Sequence, residues 1–265
     1  MKRLAAAALL AVGIGGAHAA STVALYEFDG DFTPAAGVGT GASPLVSVDP
    51  LARGGFINDT VNGVSRTVFR YNGDAFPSDS QGGLQFIDGA LMNPDNYSIE
   101  AYFSLDQVAG YRRIIDTRDR TQDTGLYVLN GGLQLYPSNI GVGTFAANVY
   151  NHVILTFNGS TAVAYLDGVA QSTQTTNYYA LPASNTISLF LDNNVSTAPN
   201  EYSAGKIAWA RFYDGALDAD EALAAYRSAV EFEVPPPIPE PSTYALLLAG
   251  GTAVLLAVRR KRRAD

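Results

Sequence analysis

His152-Val153-Ile154-Leu155-Thr156-Phe157-Asn158-Gly159-Ser160-Thr161-Ala162-Val163-Ala164-Tyr165-Leu166-Asp167-Gly168-Val169-Ala170-Gln171-Ser172-Thr173 is the stretch on which the fold turns. Two short runs of β-branched, aliphatic and aromatic residues are each followed by a turn dipeptide, Asn158-Gly159 and Asp167-Gly168. These dipeptides tolerate positive φ at the central positions of two-residue hairpins. Strands over 153–157, 161–166 and 169–173 therefore form an antiparallel meander.

The same pattern recurs on both sides of the meander. Strand-like runs bounded by Gly, Asn and Asp fall at 22–28, 67–71, 83–86, 97–105, 113–116, 125–130, 132–136, 186–191 and 206–213. About a dozen strands at spacings of roughly 8–12 residues predict an all-β, two-sheet antiparallel jelly-roll sandwich, not a parallel α/β sheet. One helix is expected, over 218–228. Asp218-Ala219-Asp220-Glu221 has the form of a capping box, and Leu223 and Tyr226 follow three apart on one face. Placed after the last strand, it is expected to close one end of the sandwich.

The 265 residues include 15 Tyr, 12 Phe and 47% hydrophobic residues, which excludes wholesale disorder. There is no Cys, so a disulfide scaffold, a cysteine zinc site and a cysteine nucleophile are excluded on inventory. The chain divides into residues 1–19, 20–232, 233–241 and 242–265. Residues 1–19 begin with Lys2-Arg3, continue through an apolar run over 4–14 and end in Ala17-His18-Ala19, the pattern of a signal peptide cleaved after Ala19. Residues 233–241 form a Pro-rich linker. In the last segment the stretch 244–258 carries no charge and precedes Arg259-Arg260-Lys261-Arg262-Arg263. A helix of that length spans about 22 Å at 1.5 Å per residue. Ser242, Thr243 and snorkelling arginines extend it toward the ~30 Å hydrocarbon core. A single C-terminal transmembrane helix with its cations on the cytoplasmic side is expected.

Between these ends, residues 21–234 contain ten basic and 23 acidic residues, a formal net charge of −13. A surface this acidic carries no electrostatic footprint for nucleic acid and is repelled by anionic lipid. Neutral glycans, hard cations and basic partners stay compatible with it.

Pro239-Glu240-Pro241-Ser242-Thr243, the apolar helix and the terminal basic cluster together resemble the PEP-CTERM sorting signal of Gram-negative bacteria. The resemblance implies processing near Pro239, Glu240 and Pro241 by an exosortase, a membrane-embedded cysteine peptidase. It also implies transient anchoring in the inner membrane, then release to the cell surface or extracellular matrix, with an association with polysaccharide and biofilm. The same tail is also catalogued as an ice-binding protein C-terminal domain.

A second resemblance covers roughly 22–230. Ala24-Leu25-Tyr26-Glu27-Phe28-Asp29-Gly30, Tyr97-Ser98-Ile99-Glu100-Ala101-Tyr102-Phe103 and Tyr150-Asn151-His152-Val153 resemble successive strands of the LamG-like, concanavalin A-like jelly-roll family. Tyr165-Leu166-Asp167-Gly168-Val169 is similar to its hairpin, and Lys206-Ile207-Ala208-Trp209-Ala210-Arg211-Phe212-Tyr213 with the following helix is similar to its end. The resemblance implies glycan or protein binding, although fold alone does not fix function.

Candidate chemistry is sparse. Glu27 and Asp29 alternate along the first strand as carboxylates do in related glucanases, and retaining glycosidases need two carboxyls about 5–5.5 Å apart. Against this, Asp31 is short for the third position of that pattern and Gly30 marks the strand's end. His152 is the one histidine left after signal cleavage and lacks a Gly-x-Ser-x-Gly partner, so it is expected to be a fold residue. Asp192, Asn193 and Asn194 offer oxygen ligands for calcium after an apolar strand. Calcium takes about six to eight oxygens, so partners such as Asp106 or Asp123 would be needed, and a polar turn explains the same residues. Arg112, Arg113, Arg118 and Arg120 either pair with Asp116, Asp119 and Asp123 or contact an acidic polysaccharide. Tyr178 and Tyr179 are candidates for stacking on sugar rings. The expected role is a non-enzymatic carbohydrate- or protein-binding adhesion module. The alternatives are a glycan-processing enzyme using Glu27 and Asp29, or a purely structural biofilm-matrix or ice-interacting protein.

Overall fold

The computed structural model of the chain describes residues 20–73, 81–195 and 201–233. Among these are fifteen strands and one α-helix. In chain order they are β1 (Ser21–Tyr26), β2 (Val46–Val48), β3 (Gly55–Val61), β4 (Val64–Tyr71), β5 (Gly83–Phe86), β6 (Tyr97–Leu105), β7 (Tyr111–Asp116), β8 (Gly125–Leu129), β9 (Gly132–Tyr136), β10 (Ile140–Thr144), β11 (Asn151–Phe157), β12 (Thr161–Leu166), β13 (Val169–Thr175), β14 (Ile187–Leu189), β15 (Gly205–Asp214) and α1 (Ala219–Glu233). The meander is β11-β12-β13, and its second turn has the expected chemistry. At Asp167-Gly168 both residues take left-handed φ, 50° and 77°; at the other turn only Gly159 does, at 84°, and the Asn158 side-chain oxygen closes a four-residue loop by accepting from the Thr161 N–H at 2.9 Å. A Cβ at Gly168 would also lie 3.0–3.2 Å from Leu223 and Tyr226 of α1, so this glycine serves both the turn and the helix packing.

Two antiparallel sheets result. One runs β13-β12-β11-β6-β15-β4-β3, with β1 beside β15 as its eighth strand; the other runs β10-β9-β8-β7-β14-β5-β2. β15 is long because it serves two neighbours along one edge. Residues 205–207 pair with β4 and residues 210–214 with β1, and the register against β6 shifts between Ile207 and Trp209.

Alternation along the strands builds the core between the sheets. Ile99, Ala101 and Phe103 of β6, Val153, Leu155 and Phe157 of β11, and Leu126, Val128, Leu133 and Leu135 of β8 and β9 belong to one buried cluster. The sheets are keyed together by aromatic contacts. Phe86 of β5 stacks on Phe212 of β15 at 4.0 Å, with Tyr26 set edge-on to both. Tyr71 stacks on Phe190 at 4.0 Å. Fully burying a large apolar side chain contributes about 1.5–3 kcal/mol, so this cluster supplies most of the drive to fold.

Three strands lie outside the sequence expectation. β3 is half polar (Asn58, Asp59, Thr60) and sits at a sheet edge, where it pairs with β4 through the Asn62-Gly63 turn. β2 has only three residues. β10 alternates glycine with exposed residues because it must pass close to β13: a Cβ at Gly141 would lie 2.5 Å from Gln171, and the Gly143 N–H donates to Gln171 Oε1 at 2.6 Å.

The helix begins where the sequence places it. The Glu221 N–H donates to Asp218 Oδ1 at 2.8 Å, and the Asp218 N–H donates to Glu221 Oε2 at 2.9 Å, a complete capping box. Its location is different: α1 covers the outer face of the eight-stranded sheet instead of closing an end. Ala222 packs with Ile154, Tyr165, Tyr213 and Leu217, and Ala229 with Tyr102, Ala208 and Trp209. That outer face is too aromatic to be left in water, so the helix is drawn onto it. Asp218→Ala removes the cap and is expected to cost about 0.5–2 kcal/mol. For a domain of this size each kcal/mol lowers the melting temperature by about 2–4 °C, which thermal denaturation followed by circular dichroism would register.

Candidate functional site

The outer face of the seven-stranded sheet is organised by one buried cation. Arg113 of β7 lies directly opposite Tyr127 of β8, and a register shift just beyond it lets Ile114 and Ile115 both enter the core while Arg113 points outward. The Arg113 side chain is nonetheless fully buried. Its guanidinium donates to Asp116 and to the Tyr127 hydroxyl in close hydrogen bonds, to Asp123 Oδ1 at 3.3 Å, and to the carbonyls of Gln122 and Thr124 at 3.2 and 3.4 Å. It also lies 4.8 Å from the Tyr127 ring centre. Asp116 Oδ1 in turn accepts from the Arg118 and Arg120 N–H groups, both at 2.9 Å, folding the 116–124 loop around the pair.

The 192–194 loop belongs to the same assembly. Asp192 is fully buried, with Oδ1 3.8 Å from Arg113 Nε. Its carboxylate accepts from the N–H groups of Asn193 at 2.7 Å and Glu201 at 3.1 Å, and its carbonyl accepts from Arg120 Nε at 2.6 Å. Asn193 Nδ2 donates to Asp123 Oδ1 at 2.8 Å, and the Asn194 N–H donates to the Arg120 carbonyl at 2.8 Å. A calcium ion at Asp192, Asn193 and Asn194 would have to displace these bonds and compete with the guanidinium that already neutralises Asp192. Asp106, the other carboxylate considered for it, is instead paired with Arg70 at 2.6 Å. Among the described residues no group of three or more His, Asp or Glu side chains is arranged to hold a metal.

Of the two readings of the arginine cluster, pairing holds for Arg113, with Asp116 and Asp123, and its neighbours are also turned to internal work. Arg112 donates to the Tyr202 carbonyl at 2.9 Å and Arg118 to the Ala180 carbonyl at 2.5 Å. Of the two tyrosines considered for stacking on sugars, Tyr178 is exposed, and Tyr179 is a core residue whose hydroxyl donates to the Gly125 carbonyl at 3.0 Å.

What the sequence reading missed lies beside Arg113. Tyr111, Tyr127 and Tyr136 come from β7, β8 and β9, and their rings meet edge-to-face with centres 5.7, 5.9 and 6.0 Å apart. With Asp123 and Glu201 they line a small cleft of about 70 Å³. Asp123 is half exposed at its rim. Burial, helped by the neighbouring Asp192 and Asp123 carboxylates, raises the Glu201 carboxyl above the ordinary range. Aromatic faces beside hydrogen-bonding carboxylates are suited to the apolar faces and hydroxyls of a sugar.

On the opposite outer face, His152 joins a buried polar network. Its Nε2 lies 2.6 Å from Glu100 Oε1, the Tyr213 hydroxyl donates to Glu100 Oε2 in a close bond, and Arg211 Nη1 is 3.4 Å from the same oxygen. Burial alone would raise the Glu100 carboxyl; the bond to His152 and the charge of Arg211 hold it below the usual carboxylate range. The carboxylates of the enzymatic alternative do not share a strand face. β1 ends at Tyr26, and Phe28 takes a left-handed φ of 53°, so the chain turns away between half-buried Glu27 and exposed Asp29.

The signal peptide, most of the linker, the sorting motif Pro239, Glu240 and Pro241, and the C-terminal tail lie outside the described residues. Among the described residues no helix is long and apolar enough to cross a membrane.

The raised Glu201 carboxyl makes stability depend on pH. The folded state holds its proton more tightly than the unfolded chain, so this contribution is lost as pH rises from the ordinary carboxylate value through the raised one. Glu201→Gln removes that loss. Melting curves should show the variant gaining on the parent as pH rises above the ordinary carboxylate value of about 4, and a gap that does not change with pH would contradict the assignment.

Residues 78–222 match the family model of the concanavalin A-like lectin/glucanase superfamily, and residues 237–263 match the PEP-CTERM protein-sorting motif. No curated protein sequence matches the chain. Solved structures with the same fold include domain 4 of AbnA, a GH43 extracellular arabinanase from Geobacillus stearothermophilus, in complex with arabinotriose. It is 16% identical, with a TM-score of 0.59, covering 77% of this chain and 98% of that one. The binding domain of Paraclostridial Mosquitocidal Protein 1 is 13% identical, with a TM-score of 0.55, covering 79% of this chain. The binding domain of botulinum neurotoxin DC in complex with SialylT is 14% identical, with a TM-score of 0.52, covering 78%. The match spans about half of each toxin binding domain, 52% and 51%. PEP-CTERM signals indicate export and membrane-anchored sorting. With its two antiparallel sheets, the length of the family match and the tail motif, the chain belongs to the concanavalin A-like lectin/glucanase superfamily and carries a PEP-CTERM protein-sorting motif.

Proposed function

We propose that the protein is a non-enzymatic carbohydrate-recognition and adhesion module, processed by an exosortase and displayed at the cell surface or in the extracellular matrix. The observation that carries this reading is the cleft in which Tyr111, Tyr127 and Tyr136 meet Asp123 and Glu201. The tyrosines offer ring edges and faces, and the carboxylates accept from hydroxyl groups. Arg113 holds the floor rigid before any ligand arrives, which lowers the ordering cost of binding. The net charge of −13 on residues 21–234 favours neutral glycans over polyanions. The fold neighbours add support, since one is an arabinanase domain in complex with arabinotriose and another a toxin binding domain in complex with SialylT. The absence of a shared strand face for Glu27 and Asp29 supports binding without hydrolysis.

The test is a glycan array followed by calorimetry on the exported protein, with and without calcium. An aromatic contact of this kind is worth about 0.5–1.5 kcal/mol, so Tyr111→Ala and Tyr136→Ala should each weaken a captured glycan by about 2- to 10-fold with the melting temperature nearly unchanged. Equal affinity in parent and both variants would remove the cleft as the site. For sorting, mass spectrometry of the released protein should find a C-terminus between residues 239 and 243. Intact chains ending at Asp265 in the extracellular fraction would exclude processing.

A further inference from the structure

A larger concavity lies on the far side of the sandwich, between α1 and the outer face of the eight-stranded sheet. Its volume is about 230 Å³, and its walls include Glu27, Arg66, Glu100, Trp209 and Arg211, with Ser228 at the helix. We propose that this cavity binds one neutral sugar ring, at a site separate from the tyrosine cleft.

Size is the first argument. A cavity of about 150 Å³ accepts benzene, so 230 Å³ suits a six-membered ring with its hydroxyl groups, while drug-sized ligands occupy about 300–1,000 Å³. The helix creates this space. Ala225 and Ala229 face the sheet at i and i+4, where larger apolar residues would have filled it, and exposed Ser228 stands at the rim.

Charge is the second argument. Two carboxylates, Glu27 and Glu100, stand against two guanidinium groups, Arg66 and Arg211, so the walls carry no formal net charge and offer no counter-charge to an ion taken out of water. They do offer directional donors and acceptors. Glu100 is completely buried and is held by His152, Tyr213 and Arg211. With no exposed surface it anchors Arg211 and leaves half-buried Glu27 and the two guanidinium groups to meet a ligand. Arg211 is fixed over Trp209, 5.5 Å from the ring centre, and Trp209 itself stacks on Tyr102 at 5.9 Å. The polar groups are therefore in place before a ligand enters.

This site goes beyond the reading given for the cleft and stands or falls by itself. The two concavities open on opposite outer faces, so a chain using both would join two glycan strands.

Trp209 is the single tryptophan of the chain, and it lines this cavity and not the tyrosine cleft. Its fluorescence should therefore report this site alone. Glucose, galactose, mannose and arabinose, with glucuronate and glycine betaine as charged and zwitterionic probes, are titrated into the exported full-length product. The expected result is a saturable change with at least one neutral sugar and a response at least tenfold weaker with glucuronate and betaine. Ala225→Leu, which fills the cavity, should weaken binding at least tenfold while the melting temperature stays the same or rises. Tyr136→Ala should leave the Trp209 response intact whatever it does to glycan capture at the cleft. No saturable response to any neutral sugar, an equal response to glucuronate or betaine, or undiminished binding by Ala225→Leu would each overturn the proposal.

Discussion

A strand buried on both faces must satisfy two environments at once, and β6 meets this demand at the centre of the eight-stranded sheet. Every residue from Tyr97 to Leu105 is buried. Its inward side chains pack against the other sheet, which needs only apolar surface. Its outward side chains are Ser98, Glu100, Tyr102 and Ser104, so the covered side carries polar groups and a full charge. Burying a carboxylate without partners is prohibitive. The surrounding structure can be understood as its compensation: His152 reaches it from β11, Tyr213 and Arg211 from β15, and α1 lies over the assembly to exclude water. Ser98 ties the helix approach to the same strand, accepting from the Leu217 N–H at 2.8 Å and donating to the Gly215 carbonyl at 3.0 Å.

The other sheet manages a buried charge of opposite sign in another way. Among the described residues no helix covers Arg113. Loops do, wrapping it with Asp116, Asp192 and carbonyl oxygens until the guanidinium has no exposed surface. Buried ion pairs of this kind contribute less to net stability than to the definition of one arrangement, because the loss of either partner leaves an uncompensated charge. Here the defined arrangement is the floor of the tyrosine cleft. Fixed loops permit a fixed binding surface.

The contrast between what could be read from the sequence and what could not follows the distance over which each interaction acts. Asn158-Gly159, Asp167-Gly168 and the Asp218–Glu221 capping box act within a few residues, and all three mark their turn or helix start, although Asn158 bonds to Thr161 without taking a left-handed φ. β5, β6, β9 and β12 also have the expected bounds. β3 was missed although Asn62-Gly63 signals its hairpin, because Asn58-Asp59-Thr60 lacks the apolar alternation of a half-buried strand and edge placement makes that alternation unnecessary. The tyrosine trio was invisible for another reason. Tyr111, Tyr127 and Tyr136 become neighbours only once the registers of β7, β8 and β9 are set. In the same way, Arg113 and Asp192 read as separate features, a basic patch and a polar loop, until the sheet brings them to 3.8 Å. The position of α1 depended on the aromatic character of an outer face that no single strand reveals.

The place of β15 in the sheet bears on how such a chain crosses a membrane. β15 is the last strand of the domain, yet it hydrogen-bonds to β1, β4 and β6, and the first residue of β1, Ser21, pairs with its final residue, Asp214. A polypeptide threaded from its N-terminus therefore delivers the keystone of its larger sheet last. Until Gly205–Asp214 has emerged, β1 lacks its partner, β6 has one bare edge and the two aromatic stacks that involve Phe212 cannot form. The larger sheet therefore cannot close before the stretch that leads into α1 is available, so the two ends of the domain are completed together.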